Sequence, residues 1–248
     1  VNEVLATTVE GGVLRITLAA PSRRNALSRP MLSELVTALG GVPGHVTGVV
    51  LHGAGEVFSA GADFAELTGT SADLDYDEAV SEARRAIAAC RVPVVAAIEG
   101  PCMGAAADLA LACDARVAAE KSFLQIPAAS LGILYNPEVV SRVAWTYGLD
   151  AARRLFLLGE RMPAATAYAA GLVTKISGPG QAVSVSINIL AGSGLNALEA
   201  RAATKELLAD LEPPGLAARW QKVRTDLLDS PARQAAVAQA RARHAHAD

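Results

Sequence analysis

Phe58-Ser59-Ala60-Gly61-Ala62-Asp63 and Gly100-Pro101-Cys102-Met103-Gly104-Ala105-Ala106-Ala107-Asp108 are two small-residue stretches that each follow an apolar run. The runs are Gly48-Val49-Val50-Leu51-His52 and Pro93-Val94-Val95-Ala96-Ala97-Ile98, both with the length and β-branched content of a buried strand. Small residues after a strand let a ligand approach the backbone and use its N–H donors. The second stretch also opens a helix, so its first N–H groups are free and the positive end of the helix dipole stands behind them. Two such donors facing each other would make an oxyanion hole for a thioester enolate or a tetrahedral oxyanion. On their own the two stretches read first as tight strand-to-helix turns. Neither is a dinucleotide fingerprint or a P-loop, because Gly53-Ala54-Gly55 lacks the third glycine and no Gly-Lys-Ser/Thr occurs.

Working outward, Gly12 to Leu18 alternates apolar and polar residues and predicts an opening strand. Ser28 is placed to cap a helix with Pro30 as its second residue and Leu32, Leu35, Val36 and Leu39 on its apolar face, stopped by Gly40-Gly41. A helix is expected over Ser71 to Cys90, with Ala79, Ala83, Ala86, Ile87 and Cys90 inward, a short one over Met103 to Ala112, and a strand over Ala115 to Ala118. Strand and helix thus alternate through the first half, the pattern of an α/β fold with a parallel sheet. From Asn136-Pro137 the chain reads as helices set off by Gly148, Asp150, Gly159, Pro163 and Gly171. Past Gly178-Pro179-Gly180 it is almost wholly helical, with apolar faces at Leu195, Leu198, Leu207, Leu208 and Leu211 and then Trp220, Val223, Leu227 and Leu228. Ser230-Pro231 opens a last Ala-rich helix, and His244-Ala245-His246 reads as a frayed end rather than a metal site.

Of 248 residues, 52% are hydrophobic and 4% aromatic, which suits one compact domain with an Ala- and Val-rich core. A formal net charge of -3, with both signs mixed along the chain, offers no basic stripe for nucleic acid or an anionic membrane. Cys90, Cys102 and Cys113 lie in apolar surroundings without the spacing of a metal site, so each is expected to be buried and the compartment to be a reducing cytoplasm. Val1-Asn2-Glu3-Val4 does not read as a signal peptide, and no run reaches the ~18 apolar residues of a membrane span.

Arg24-Asn25-Ala26-Leu27-Ser28, Phe58 to Leu67, Pro93 to Glu99, Gly104 to Asp114, Leu131-Gly132 and Ala170-Gly171-Leu172-Val173, taken in order, resemble the crotonase (enoyl-CoA hydratase/isomerase) superfamily. The resemblance implies a spiral of β-β-α units, with residues 1–190 as an acyl-CoA-binding core and 191–248 as a C-terminal helical region used in trimers, or in hexamers built as two trimers. Its implied partner is an acyl-CoA thioester, with coenzyme A part of the substrate and no further cofactor or metal.

Carried over position by position, the two oxyanion N–H groups fall on Ala62 and Ala105. Arg24, Ala26, Leu27, Ala60, Gly61, Asp63 and Phe64 fall on the stretches that cradle coenzyme A, and Gly104, Pro127, Ala128 and Leu131 complete the expected substrate contacts. Arg23 or Arg24 is the implied phosphate contact, a solvated loop arginine being the alternative. Hydratases of the family use two Glu residues, one for the water and one for the α-carbon. The first position is Asp108, expected to point into the site, and the second is Ala128, which cannot move a proton. Another group of members keeps its acid at the position of Asn136. Glu66 and Glu138 sit on predicted helices as surface carboxylates. Leu131 to Asn136 resembles the segment of methylmalonyl-CoA decarboxylase whose Tyr contacts the substrate carboxylate, which makes Tyr135 a second catalytic candidate or else a packed Tyr bonded to a carbonyl. Three functions stay open: a hydratase or isomerase using Asp108, a decarboxylase using Tyr135, and an acyl-CoA-binding protein without chemistry.

Overall fold

The computed structural model describes residues 4–192, 198–211 and 218–245. It opens on a hairpin of β1 (Leu5–Glu10) and β2 (Val13–Leu18), joined through Gly11 and Gly12, both at positive φ as a tight hairpin turn requires. The strand expected from Gly12 to Leu18 is β2; β1 precedes it, and its largely exposed Leu-Ala-Thr-Thr-Val-Glu shows no buried alternation to mark it. In α1 (Arg29–Gly40), Ser28 accepts a hydrogen bond from the Met31 N–H at 3.3 Å, Pro30 lies in the first turn, and Met31, Leu32, Leu35 and Leu39 are buried.

β3 (Gly48–Gly53) lies parallel to β2. A 3₁₀ turn at Ser71–Asp73 leads into α2 (Leu74–Ala89), which buries Tyr76, Val80, Ala83 and Ile87, while the expected Ala79 and Ala86 lie at the margin. β4 (Val94–Ile98) is followed by β5 (Pro101–Met103) and α3 (Ala105–Ala112), so Met103 belongs to a strand and Gly104, at φ 53, makes the corner. β6 (Ala115–Ala119), β7 (Phe123–Gln125) and α4 (Pro137–Ala152) come next, α4 kinked at Gly148 with φ 88. Then follow β8 (Met162–Pro163), α5 (Ala164–Ala169), β9 (Lys175–Ser177), α6 (Ala182–Gly192), α7 (Leu198–Asp210), α8 (Ala218–Leu228) and α9 (Pro231–Ala245).

The main sheet runs β1-β2-β3-β4-β6-β9, parallel after its first pair, and a small sheet runs β5-β7-β8. One face of the main sheet carries Ile16, Leu18, Leu51 and Ile98 into the large core under α1, α2 and α3. The other places Val13, Val50, Val95 and Val117 against Ala182 and Leu190 of α6. A Cβ on Gly48 would stand 2.7 Å from Leu190 Cδ2, so a larger residue there would have to displace the Leu190 side chain of α6. β3 and β4 are parallel neighbours, so the two small-residue stretches leave the same edge of the sheet, where ligands of parallel α/β sheets bind.

On the last helices Leu207, Leu208 and Leu211 are exposed and Trp220, Val223 and Leu227 partly so, whereas Leu228 is 4% exposed and faces inward. Leu195 and His246, the side chains of Leu198 and His244, and Val1 to Glu3 lie outside the described residues. The three cysteines are free and buried. Among the described residues no helix is long and apolar enough to cross a membrane.

Candidate active site

The two stretches are stitched together by backbone. Ser59 N–H donates to Pro101 O at 3.2 Å and Met103 N–H to Ser59 O at 3.1 Å. Gly61, at φ 90, passes so close that a Cβ would lie 2.5 Å from Met103 O. A third segment joins them, since Ala60 N–H donates to Arg24 O at 2.9 Å and Leu27 N–H to Gly61 O at 2.8 Å. That segment is pinned by Asn25, which is fully buried at φ 53. Its side-chain N–H groups donate to Ala54 O and Val57 O at 2.9 and 2.8 Å, and its Oδ1 accepts from Ala20 N–H at 3.1 Å. An asparagine tolerates this left-handed backbone better than other non-glycine residues, so its presence in a turn was the available signal.

This arrangement brings Ala62 and Ala105 to the wall of one cavity. Ala105 is the first residue of α3, its N–H an orphan of the helix start, and Ala62 follows the Gly61 corner. Among the described residues neither N–H meets a protein acceptor. Gly104 N–H donates to Gln125 O at 2.8 Å and Gln125 Nε2 to Gly159 O at 2.9 Å, which fixes the corner before Ala105. Both alanines line a mainly apolar cavity of about 310 Å³.

Of the residues expected from the sequence, Arg24, Ala60, Ala62, Phe64, Gly104 and Ala105 line that cavity, as do Pro127, Ala128, Leu131 and Tyr135. Ala26, Leu27, Gly61, Asp63 and Asp108 do not. Leu27 is fully buried, and its carbonyl accepts the Tyr76 hydroxyl at 2.5 Å. Asp63 is buried, caps the turn at Phe64–Glu66 through Ala65 N–H at 3.1 Å, and pairs with Arg23. Arg23 is paired to Asp63 and does not line the cavity, whereas Arg24 is exposed and does.

Asp108 departs from expectation. It is 2% exposed and receives Arg142 Nη2 of α4 at 2.9 Å, Arg142 in turn donating to Leu111 O at 2.9 Å. Burial pushes its carboxyl above the ordinary value, and the Arg142 charge opposes that shift. One carboxylate oxygen is thus tied into the packing between α3 and α4, and Asp108 is not among the residues that line the cavity. Glu66 accepts from Arg29 N–H at 3.0 Å, Glu138 pairs with Arg84 at 3.4 Å, and neither lines the cavity.

Sequence reasoning missed a charged wall. Asp73 and Asp77 from the start of α2, Arg224 and Leu228 of α8, and Arg233 of α9 all line the cavity. Arg224 meets Asp77 at 2.6 Å and Arg233 meets Asp73 at 3.4 Å, both arginines being buried. Burial pulls Arg233 below its ordinary value, with Asp73 opposing. A signal existed: Arg224 stands four residues before buried Leu228, and Arg233 four before buried Val237, so both lie on the inward faces of their helices.

Tyr135 stacks obliquely on Phe156, ring centroids 5.3 Å apart. Among the described residues its hydroxyl has no hydrogen-bond partner, contrary to the packed alternative in which it would reach a carbonyl. Burial, with the charges of Asp108 and Asp77 adding to it, lifts its phenol well above the ordinary value, so it stands in the cavity as a neutral donor.

Comparison with known proteins agrees with this architecture. A family profile described as Enoyl-CoA hydratase/isomerase matches residues 8–245. A probable enoyl-CoA hydratase of Mycobacterium tuberculosis is 35% identical over 174 residues, 70% of each chain. A crystal structure of an enoyl-CoA hydratase from Mycobacterium avium subsp. paratuberculosis superposes with a TM-score of 0.82 at 29% identity, covering 95% of this chain and 98% of that one. Methylmalonyl-CoA decarboxylase in complex with 2-nitronate-propionyl-CoA shares the fold, with a TM-score of 0.88 at 23% identity over 96% of this chain and 95% of that one.

Proposed function

Because the chain belongs to the enoyl-CoA hydratase/isomerase family of the crotonase superfamily, we propose that it forms a thioester enolate, with the N–H groups of Ala62 and Ala105 holding the carbonyl oxygen. The observation that supports this is that Ala62 and Ala105, whose N–H groups meet no protein acceptor among the described residues, line one mainly apolar cavity. Donors fixed in place before the reaction stabilise the negative charge as it moves from carbon to oxygen, and an apolar wall strengthens them by keeping water out. Arg24 at the rim serves the coenzyme A phosphates, and coenzyme A is part of the substrate. Residues 1–190 act as the thioester-binding core and 191–248 as the region through which copies assemble. With Ala128 in the wall and Asp108 paired to Arg142, two-carboxylate hydration has little support.

A second reading is decarboxylation of a malonyl-type thioester, favoured by the free Tyr135 hydroxyl. Loss of carbon dioxide supplies the electron pair for the enolate from the breaking C–C bond and needs no carboxylate base. A neutral phenol could orient the leaving carboxylate by a hydrogen bond. Incubation with enoyl-, 3-hydroxyacyl- and malonyl-type CoA esters separates the readings: hydrated and decarboxylated products by mass, and isomerised product, of unchanged mass, by chromatography against standards. Tyr135→Phe should abolish decarboxylation with coenzyme A affinity unchanged. If thioesters of every type bind and none reacts, the chain is a binding protein and the enolate reading fails.

A further inference from the structure

An oxyanion hole lowers the cost of an enolate but does not remove the proton, so enolate formation from a saturated or enoyl thioester needs a proton acceptor that meets the cavity. The polar groups in its wall can be taken one by one. Arg24, Arg224 and Arg233 are donors. The Tyr76 hydroxyl is committed to Leu27 O, and Tyr135 is a neutral phenol. Asp73 is 6% exposed and saturated: Oδ1 accepts from Thr68 N–H and Oγ1 at 2.6 and 2.7 Å, and Oδ2 from Gly69 N–H at 3.0 Å and from Arg233.

Asp77 differs. Its Oδ2 is held from two sides, by Arg224 Nη2 at 2.6 Å and Asn136 Nδ2 at 3.2 Å. Its Oδ1 accepts no hydrogen bond among the described residues, and the side chain keeps 29% of its exposure. A carboxylate anchored through one oxygen with the other open is oriented yet free to take a proton. Arg224 comes from α8 and Asn136 from the start of α4, so three distant segments converge on this group.

We propose that Asp77 is the proton-transfer residue of this enzyme, standing in a cavity wall that Asp108 does not line and in which Ala128 has no acid. Its open oxygen takes the proton from the carbon beside the thioester carbonyl. The C–H electron pair becomes the enolate double bond, and the charge goes to the oxygen held by Ala62 and Ala105. Return of the proton to the same carbon gives exchange, and its delivery two carbons further along a 3-enoyl chain gives a 2-enoyl isomer, with no other reactant. This rests on the enolate reading above.

The test is deuterium uptake at C2 of butanoyl-CoA in heavy water, followed by mass spectrometry. Wild type should exchange faster than buffer, and Asp77→Asn should slow this ~10²–10⁴-fold. Butanoyl-CoA affinity, measured by calorimetry, should be retained, a split that loss of structure would not produce. Asp77→Glu should exchange at a rate between the two. If the unpaired Arg224 charge unfolds Asp77→Asn, the double variant Asp77→Asn, Arg224→Gln removes that charge and should show the same loss. Exchange at the wild-type rate in a folded Asp77→Asn or double variant overturns the proposal, as does a wild type that binds butanoyl-CoA without exchanging it. A wild type that binds no acyl-CoA would instead remove the enolate reading, and this inference with it.

Discussion

Arg142 of α4 donates its Nη2–H to Asp108 Oδ1 of α3 at 2.9 Å, with both side chains more than nine-tenths buried. The pair locks the helix that carries Ala105 against α4 and so holds one wall of the site from behind. Removing one partner leaves a buried charge without its counter-ion. Asp108→Ala should therefore cost about 3–5 kcal/mol in denaturant unfolding. Replacing both, as Asp108→Leu with Arg142→Met, should recover most of that loss. Additive losses in the double variant would show that the two side chains do not act as a pair.

Gly61 is the corner at which the first small-residue stretch meets the second. Its φ of 90, and the 2.5 Å that would separate an added Cβ from Met103 O, leave no room for a side chain. Gly61→Ala should lose about 1–3 kcal/mol of stability and most activity, because it pushes Ala62 and Ala105 apart. An active variant of unchanged melting temperature would contradict the apposition.

His52 on β3 is held neutral, its Nδ1–H facing Gly53 O at 3.1 Å and its Nε2 facing the Thr17 hydroxyl at 2.9 Å. Burial lowers its pKa from the ordinary histidine value, with the Arg15 charge adding to the effect and the Gly53 bond opposing it. The unfolded chain then binds the proton more readily than the folded one. This contribution to stability is complete above about pH 6.5 and is lost as pH falls below it. Melting temperature should drop across that window, and His52→Gln should flatten the drop. An equal drop in His52→Gln would place the titration elsewhere.

The strands that decide the fold were legible because β2, β3 and β4 each carry an uninterrupted or alternating apolar signal, and Ser28 and Asn136 cap their helices as their positions indicate. β5, β7 and β8 were not, since two or three residues hold no period. The proposed backbone donors at Ala62 and Ala105 were named through the family resemblance, whose motifs lie in the two contiguous glycine-rich stretches. The pairing of Asp108 could not be read in this way, because its partner Arg142 lies on another helix. The same holds for the wall formed by Asp73, Asp77, Arg224 and Arg233, whose members meet only when α8 and α9 fold back over the start of α2.

Trp145, Leu149, Leu157 and Leu158 on and after α4 are more than 60% exposed, and Leu207, Leu208 and Leu211 nearly so. That much open apolar surface favours self-association. Light scattering should return the mass of a trimer or of two stacked trimers. A monomer of 25.5 kDa at micromolar concentration would contradict the assembly proposed for the C-terminal region.

In the proposed reaction a thioester carbonyl sits between the N–H groups of Ala62 and Ala105. A crystal structure with butanoyl-CoA tests it most directly. The thioester oxygen is expected about 2.7–3.1 Å from both nitrogens, with the acyl chain running past Ala128 toward Tyr135 and Asp77. A thioester oxygen bonded to neither nitrogen, or an acyl chain lying outside this cavity, would contradict it.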